Sequence, residues 1–229
     1  MIGSGQAGVP LAVRLAQAGK RVLIVERGLA GGTCVNNGCT PTKTMIASAR
    51  VAHVARSAGR LGITVHDVQV DLPAIVARKD AMVTRWRQGV EHRLASAGEN
   101  LRFVRGHARF VAPRTIEVAG ERHHADKVVI NVGGRPALPA INGLEKVAHL
   151  TSTDILNLRV LPRHLVILGG GYIGCEMGQM FRRFGAAVTI VQSQPRLLPH
   201  EDQDASQTLE AVCRTEGVTL ALGRRAAGV

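Results

Sequence analysis

Two of the four cysteines in this 229-residue chain, Cys34 and Cys39, fall five positions apart inside GGTCVNNGCTPTK. Thiols that close can clip a metal, form a structural disulfide or act as a reversible redox pair. Four intervening residues lie at the edge of zinc spacing, and no second ligand pair follows nearby. His53, the closest histidine in sequence, reads as a helix surface residue. A structural disulfide would close only a very short loop, in a chain whose cysteine usage fits a reducing, cytoplasmic setting. The redox reading rests on Thr40-Pro41, which has the form of a helix N-cap followed by proline at the first helical position, with TKTMIASARVAHVARSA continuing as helix. Cys39 then stands at or just before a helix N-terminus, where the dipole favours a thiolate and lowers its pKa. Gly38 lets the chain bend back between the two sulfurs.

A redox pair needs an electron carrier, and two glycine patterns supply the frame for one. IGSGQAG places Gly3, Gly5 and Gly8 in a G-x-G-x-x-G pattern, followed by an apolar-periodic helix, VPLAVRLAQAG, and a strand, RVLIVE. Such glycines permit a tight turn, close approach of backbone to a pyrophosphate, and helix–strand packing. Glu26 ends the strand 18 residues after Gly8, where an acid can hold a ribose hydroxyl. The pattern recurs in HLVILGGGYIGCEMGQMFRRFGAAVTIVQ, with Gly169, Gly171 and Gly174. Two dinucleotide units in one chain imply electron transfer between them, most simply a nicotinamide cofactor feeding a flavin. The counterpart of Glu26, 18 residues after Gly174, is Gln192. Losing that carboxylate removes repulsion against a 2′-phosphate, and Arg196 lies nearby to accept one, so NADP(H) is favoured over NAD(H). Gln192 can still hydrogen-bond a plain ribose.

Composition sets the outer limits. Hydrophobic residues make up 45% of the chain with no low-complexity tract, which fits a folded globular protein and not a disordered one. A net charge of +12 raises the question of nucleic acid. The arginines are scattered and aromatic residues amount to 3%, too few to stack bases, so no nucleic-acid partner is expected. The longest apolar run is glycine-rich and carries Glu176, and no membrane partner is expected either. Cys175 and Cys213 read as small buried hydrophobes. Trp86 reads as a helix packing residue, and His123-His124 as an exposed pair between strands.

GGTCVNNGCTPTK, together with VVINVGGRPALPAINGL, LTSTDIL and the second glycine unit, resembles the class I pyridine nucleotide–disulfide oxidoreductases over nearly the whole chain. That family includes dihydrolipoamide dehydrogenase, glutathione reductase and mercuric reductase, and NGCTPTKTM is most similar to mercuric reductase-like members. The resemblance implies hydride passing from NADPH to FAD and on to a Cys34–Cys39 disulfide. It casts Cys39 as the flavin-facing sulfur and Cys34 as the outer thiol that attacks a small-molecule disulfide or captures a metal ion such as Hg(II). Lys43, one helical turn after Cys39, matches a lysine near the reactive flavin nitrogen that pairs with a glutamate matching Glu176. Tyr172 matches the residue covering the nicotinamide pocket. Gly32, Thr33, Gly133 and Arg135 match positions that line the cofactor.

The expected fold is two Rossmann-like three-layer α/β domains. The first is FAD-binding and covers residues 1–150, with its first strand cut to Met1-Ile2, a helix near 73–97 and a small β-meander through LRFVRGHARFVAPRTIEVAGERHHADKVVIN. The second, nicotinamide-binding, begins at Thr151 and is incomplete at residue 229. The rest of that domain, and the dimerisation domain with the His–Glu acid–base pair of a homodimer, are expected to lie outside this chain. Three functions stay open: a flavoprotein disulfide or metal-ion reductase, a non-catalytic nucleotide-binding fragment, and a flavin-free thiol redox sensor.

Overall fold

A computed structural model describes residues 1–228 as a mixed α/β protein with parallel and antiparallel sheets. The chain divides into two compact units, one formed by Met1–Pro41 and Asp80–Arg135, the other by Thr42–Lys79 and the chain from Pro136 on.

In the first unit, helix α1 (Gly8–Gln17) follows the first glycine pattern and leads to strand β1 (Val22–Glu26). Val9, Ala12 and Ala16 fall on one helical face and pack with Val22, Ile24 and Leu94. Met1 and Ile2 run alongside β1. The Met1 carbonyl accepts from Val25 N–H, Gly3 N–H donates to Val25 O, and Ile2 bridges Val25 and Ile130 in parallel. These two residues therefore occupy the place of the expected first strand. LRFVR, expected in the meander, instead forms β2 (Leu101–Arg105) and pairs in parallel with β1, because its alternate apolar residues Leu101 and Phe103 join the core under α1. The antiparallel meander is confined to β3 (Arg109–Ala112), β4 (Thr115–Val118) and β5 (Glu121–His124).

Helices α2 (Gly32–Asn36) and α3 (Cys39–Ser57) follow β1, and α4 (Leu72–Ala95) lies at the expected position. Helix α3 begins at Cys39, two residues before the start expected at Pro41, so Thr40 is itself helical and not the cap. Trp86 is 55% exposed and is not a packing residue. The buried positions Leu72, Val76, Val83 and Leu94 make a stripe along α4, and Trp86 lies about 60° to one side of it at 100° per residue.

The second unit is built on a parallel sheet of β6 (His164–Leu168), β7 (Ala187–Gln192) and β8 (Thr219–Leu222), in that order. Helix α5 (Tyr172–Phe184) joins β6 to β7, and α6 (Gln203–Thr215) joins β7 to β8. Met177, Met180, Phe181 and Phe184 bury one face of α5 against Val188 and Ile190, with the two phenylalanine rings edge to face at 5.9 Å. Cys175 and Cys213 are buried in this core, as their sequence context suggests. Strand β6 is one of the sheet's two edges among the described residues, and its side chains Val166 and Leu168 are 54% and 41% exposed.

Candidate functional site

The first unit brings Gly3, Gly5, Gly8, Glu26, Gly32 and the two cysteines together. Gly3 has φ +100°, and a Cβ there would lie 2.1 Å from the Asn131 carbonyl oxygen, so only glycine fits. A Cβ on Gly8 would lie 2.4 Å from Gly3 O, so glycine lets α1 start hard against the turn, where Val9 N–H donates to Gly5 O at 3.1 Å. Gly32 approaches from the other side: its Cβ would stand 2.7 Å from Gly5 Cα. Asn36 holds this second approach, donating from Nδ2 to the carbonyls of Ala30 and Gly32 at 3.0 Å each. Sequence reasoning missed both asparagines: Asn131 meets Gly3 from far along the chain, and Asn36 bonds carbonyls only four to seven residues back, which nothing in VNN announces.

Glu26 is tied to the turn. Its Oε2 accepts from Ser4 N–H at 2.9 Å and Ser4 Oγ–H at 2.8 Å, and its Oε1 from Gly28 N–H at 2.9 Å. Burial pushes the Glu26 carboxyl up, but these donors outweigh it and hold the group below its ordinary value. The geometry of the turn, a helix start, a fixed anionic acceptor and space that admits backbone but not side chains, fits a dinucleotide's pyrophosphate and ribose.

Cys34 lies in α2 and Cys39 opens α3. Gly38 makes the approach feasible, because a Cβ there would meet Thr33 O at 2.9 Å and Cys34 Cα at 3.3 Å. The two thiols are hydrogen-bonded to each other, with Cys34 half-buried and Cys39 exposed. Burial, then the Cys39 thiol and its charge, push the Cys34 thiol up, offset only in part by Cys39 N–H donating to the Cys34 sulfur. Thr33 is exposed beside them, and Gly133 and Arg135 lie exposed at the far end of this unit's chain.

In the second unit Lys43 and Glu176 form an ion pair, with side chains 60% and 37% exposed. The second glycine turn repeats the first: Gly169 has φ +109°, and a Cβ on Gly174 would meet Gly169 O at 2.0 Å. Gly169 and Gly171 face open space among the described residues, leaving room for a ligand at the start of α5. Gln192 is buried, its Oε1 accepting Ser193 N–H at 3.1 Å. Arg196 does not stand free: Nη2 donates to Pro199 O at 2.9 Å and Glu201 O at 3.0 Å. Tyr172 is exposed and its hydroxyl donates to the Glu201 carboxylate.

Elsewhere in this unit a cavity of about 300 Å³ is lined by His53, Arg56, Arg182, Arg183 and Glu216. Its arginines are committed to structure. Arg183 binds Glu216 through two nitrogens at 2.6 and 2.7 Å, and Arg182 donates to Glu216 O and Ala186 O. Among the described residues no group of three His, Cys, Asp or Glu side chains could hold a metal ion, and no helix is long and apolar enough to cross a membrane.

A family model described as pyridine nucleotide-disulphide oxidoreductase matches residues 1–229. The chain is 36% identical over 223 residues to a mercuric reductase of Lysinibacillus sphaericus, covering 97% of this chain and 41% of that protein. It is likewise 36% identical over 224 residues to the dihydrolipoyl dehydrogenase of Bacillus subtilis (strain 168), covering 95% and 48%. Among solved structures, the HOCl-induced flavoprotein disulfide reductase RclA from Escherichia coli matches with TM-score 0.82 and 37% identity over 98% of this chain and 48% of that one. The chain thus spans somewhat under half the length of these relatives.

Proposed function

Because this chain belongs to the pyridine nucleotide-disulphide oxidoreductase family, we propose that it carries the electron-transfer half of an NAD(P)H-dependent flavoprotein reductase. The fold is read as two Rossmann-like domains meeting near residues 150 and 151. The first turn would hold FAD, with Glu26 on its ribose and Gly32, Thr33, Gly133 and Arg135 along it. The second would hold a nicotinamide nucleotide. The observation that carries the reading is the hydrogen-bonded pair Cys34–Cys39, built on α2 and α3 in the same unit as the Gly3–Gly8 turn.

Bound FAD supplies a two-electron relay between nicotinamide and sulfur. The chain's own groups do the rest. Oxidising the Cys34–Cys39 dithiol forms one S–S bond and releases two electrons and two protons. In the reduced pair Cys34 attacks a substrate disulfide, giving a mixed disulfide and one substrate thiolate, and Cys39 then resolves it, releasing the second. Since burial and Cys39 hold Cys34 protonated, its attack needs a proton acceptor, the role of the His–Glu pair in the homodimeric family. Lys43, fixed by Glu176, places a cation one helical turn beyond Cys39. The substrate is read as a small-molecule disulfide or a metal ion such as Hg(II), the protein as cytoplasmic and, at full length, homodimeric. NADP(H) is favoured by Gln192, while the engagement of Arg196 Nη2 with loop carbonyls supports NAD(H) as the second reading.

The test is the visible spectrum of the chain reconstituted with FAD and titrated anaerobically with NADPH and NADH. A bound flavin that is reduced and then develops a long-wavelength shoulder, lost in Cys39→Ser, is expected. Bound flavin that neither nucleotide reduces would favour a nucleotide-binding fragment without turnover. A colourless protein whose Cys34 and Cys39 still oxidise reversibly would favour a flavin-free thiol sensor.

A further inference from the structure

Asn131 faces every glycine of the first turn. Its carbonyl oxygen stands 2.1 Å from the point where a Cβ on Gly3 would lie. Its Nδ2 stands 2.6 Å from the corresponding point on Gly8 and 3.3 Å from that on Gly5. The amide thus sits where the three side chains that glycine lacks would have converged. The backbone fixes it there: Asn131 N–H donates to Ile2 O at 2.8 Å, Ile2 N–H donates to Val129 O at 2.9 Å, and Ile130 bridges Ile2 in parallel.

This place is a switch point of the sheet. From Met1-Ile2 the chain runs through the turn and α1 to β1 on one flank, while Ile130 lies on the other. Crevices of this kind, outside the carboxyl ends of parallel strands, are where α/β sheets take their ligands. Asn131 is the first residue past Ile130, as Gly3 is the first past Ile2.

The fold uses only part of this amide. Nδ2 donates to Gly3 O at 3.5 Å, the long limit of such a bond, so the contact contributes little. An amide nitrogen carries two hydrogens, and among the described residues no other acceptor receives one from Asn131. Electrostatics give the second hydrogen a use. IGSGQAG contains no lysine or arginine, and Glu26, bonded to Ser4, brings a negative charge to the turn. A pyrophosphate seated here has no cation of the turn to meet, so each neutral donor counts.

We propose that Asn131 is a cofactor-binding residue of the first turn, its second Nδ2 hydrogen donated to the pyrophosphate of bound FAD. This rests on the reading of that turn as the FAD site. Glu26 and Asn131 then act as a pair. Glu26 ends the strand on one flank of Ile2 and takes the ribose; Asn131 follows the segment on the other flank and takes the phosphates.

The full chain is titrated with FAD, followed by the quenching of free-flavin fluorescence, for wild type, Asn131→Ala and Asn131→Asp. Urea unfolding of each chain without FAD reads the fold separately. Asn131→Ala should bind FAD on the order of tenfold more weakly, with its urea midpoint unchanged. Asn131→Asp loses the donor and sets a carboxylate against the phosphates, so it should be weaker by roughly another tenfold. The gap between the two variants should narrow as salt rises from about 0.05 to about 0.5 M, because screening acts on the charge alone. Equal weakening in both variants would mean that the amide only shapes the turn, and overturns the proposal. Unchanged affinity in both, with FAD still bound, overturns it and leaves the FAD site standing. Failure of the wild-type chain to bind FAD overturns the FAD reading, and the role of Asn131 falls with it.

Discussion

Gly3 and Gly169 open turns of the same shape, and their neighbourhoods are opposite. A methyl on Gly3 would collide with Asn131 O, and Gly5 is pressed by Gly32, whereas Gly169 and Gly171 meet nothing within 4 Å among the described residues. The contrast extends to the residue between the first two glycines and to the strand end. In the first turn Ser4 and Glu26 form a matched pair, the hydroxyl donating to the carboxylate at 2.8 Å. In the second, Gly170 and Gln192 replace both. A Cβ on Gly170 would lie 3.1 Å from Gln192 Cβ and 2.6 Å from Leu197 Cδ2, so a serine would have to displace the buried Leu197 side chain. The first turn is a cradle locked by distant parts of its own unit, suited to a cofactor that stays. The second is open at Gly169 and Gly171 among the described residues, suited to a ligand that comes and goes.

Substitution at the leading glycines breaks the comparison most strongly. Gly3→Ala should cost about 3 kcal/mol or more, from left-handed strain plus overlap with Asn131, while Gly169→Ala should cost about 1–2 kcal/mol from strain alone. Urea unfolding of the two variants reads the difference, and equal losses would mean that the cradle around Gly3 yields. Next comes Glu26. Its carboxyl titrates below its ordinary 4.5 in the folded chain, so its stabilisation is complete above that value and lost as pH falls through the folded pKa. Glu26→Gln should be less stable at neutral pH by about 1.5–3 kcal/mol and should lose less on acidification. A parallel loss in both proteins would place the acid sensitivity elsewhere. Gln192→Glu imports the first turn's acid into the second and should move nucleotide preference from NADPH toward NADH by roughly tenfold, measured as a ratio of dissociation constants. The smallest effect belongs to Ser4→Ala, about 1 kcal/mol, because Ser4 N–H still donates to Glu26.

What the sequence made legible is local. Both glycine patterns, the strand ending at Glu26, and helices α3 and α4 follow from periodicity and spacing along a short stretch. The approach of Cys34 to Cys39 was legible too, because Gly38 lies between them. Long-range bonds were not. Asn131 reaches Gly3 across 128 residues, and Tyr172 finds Glu201 in a different connection of the sheet. Arg196 is a further case: its Nη2 donates to the carbonyls of Pro199 and Glu201, a loop geometry that no spacing rule encodes. LRFVR was assigned to the wrong sheet for the same reason, since alternation gives a strand but not its neighbour.

The side of β6 left unpaired among the described residues has a consequence for this chain as a colloid. Val166 and Leu168 stand out from an edge whose unpaired backbone groups can template a second strand. The net charge of +12 keeps such encounters rare in dilute buffer, because molecules repel before their rims meet. Added salt shortens the reach of that repulsion to about 10 Å at 0.1 M. Concentrated stocks should therefore turn cloudy as ionic strength rises, and Val166→Lys should keep them clear.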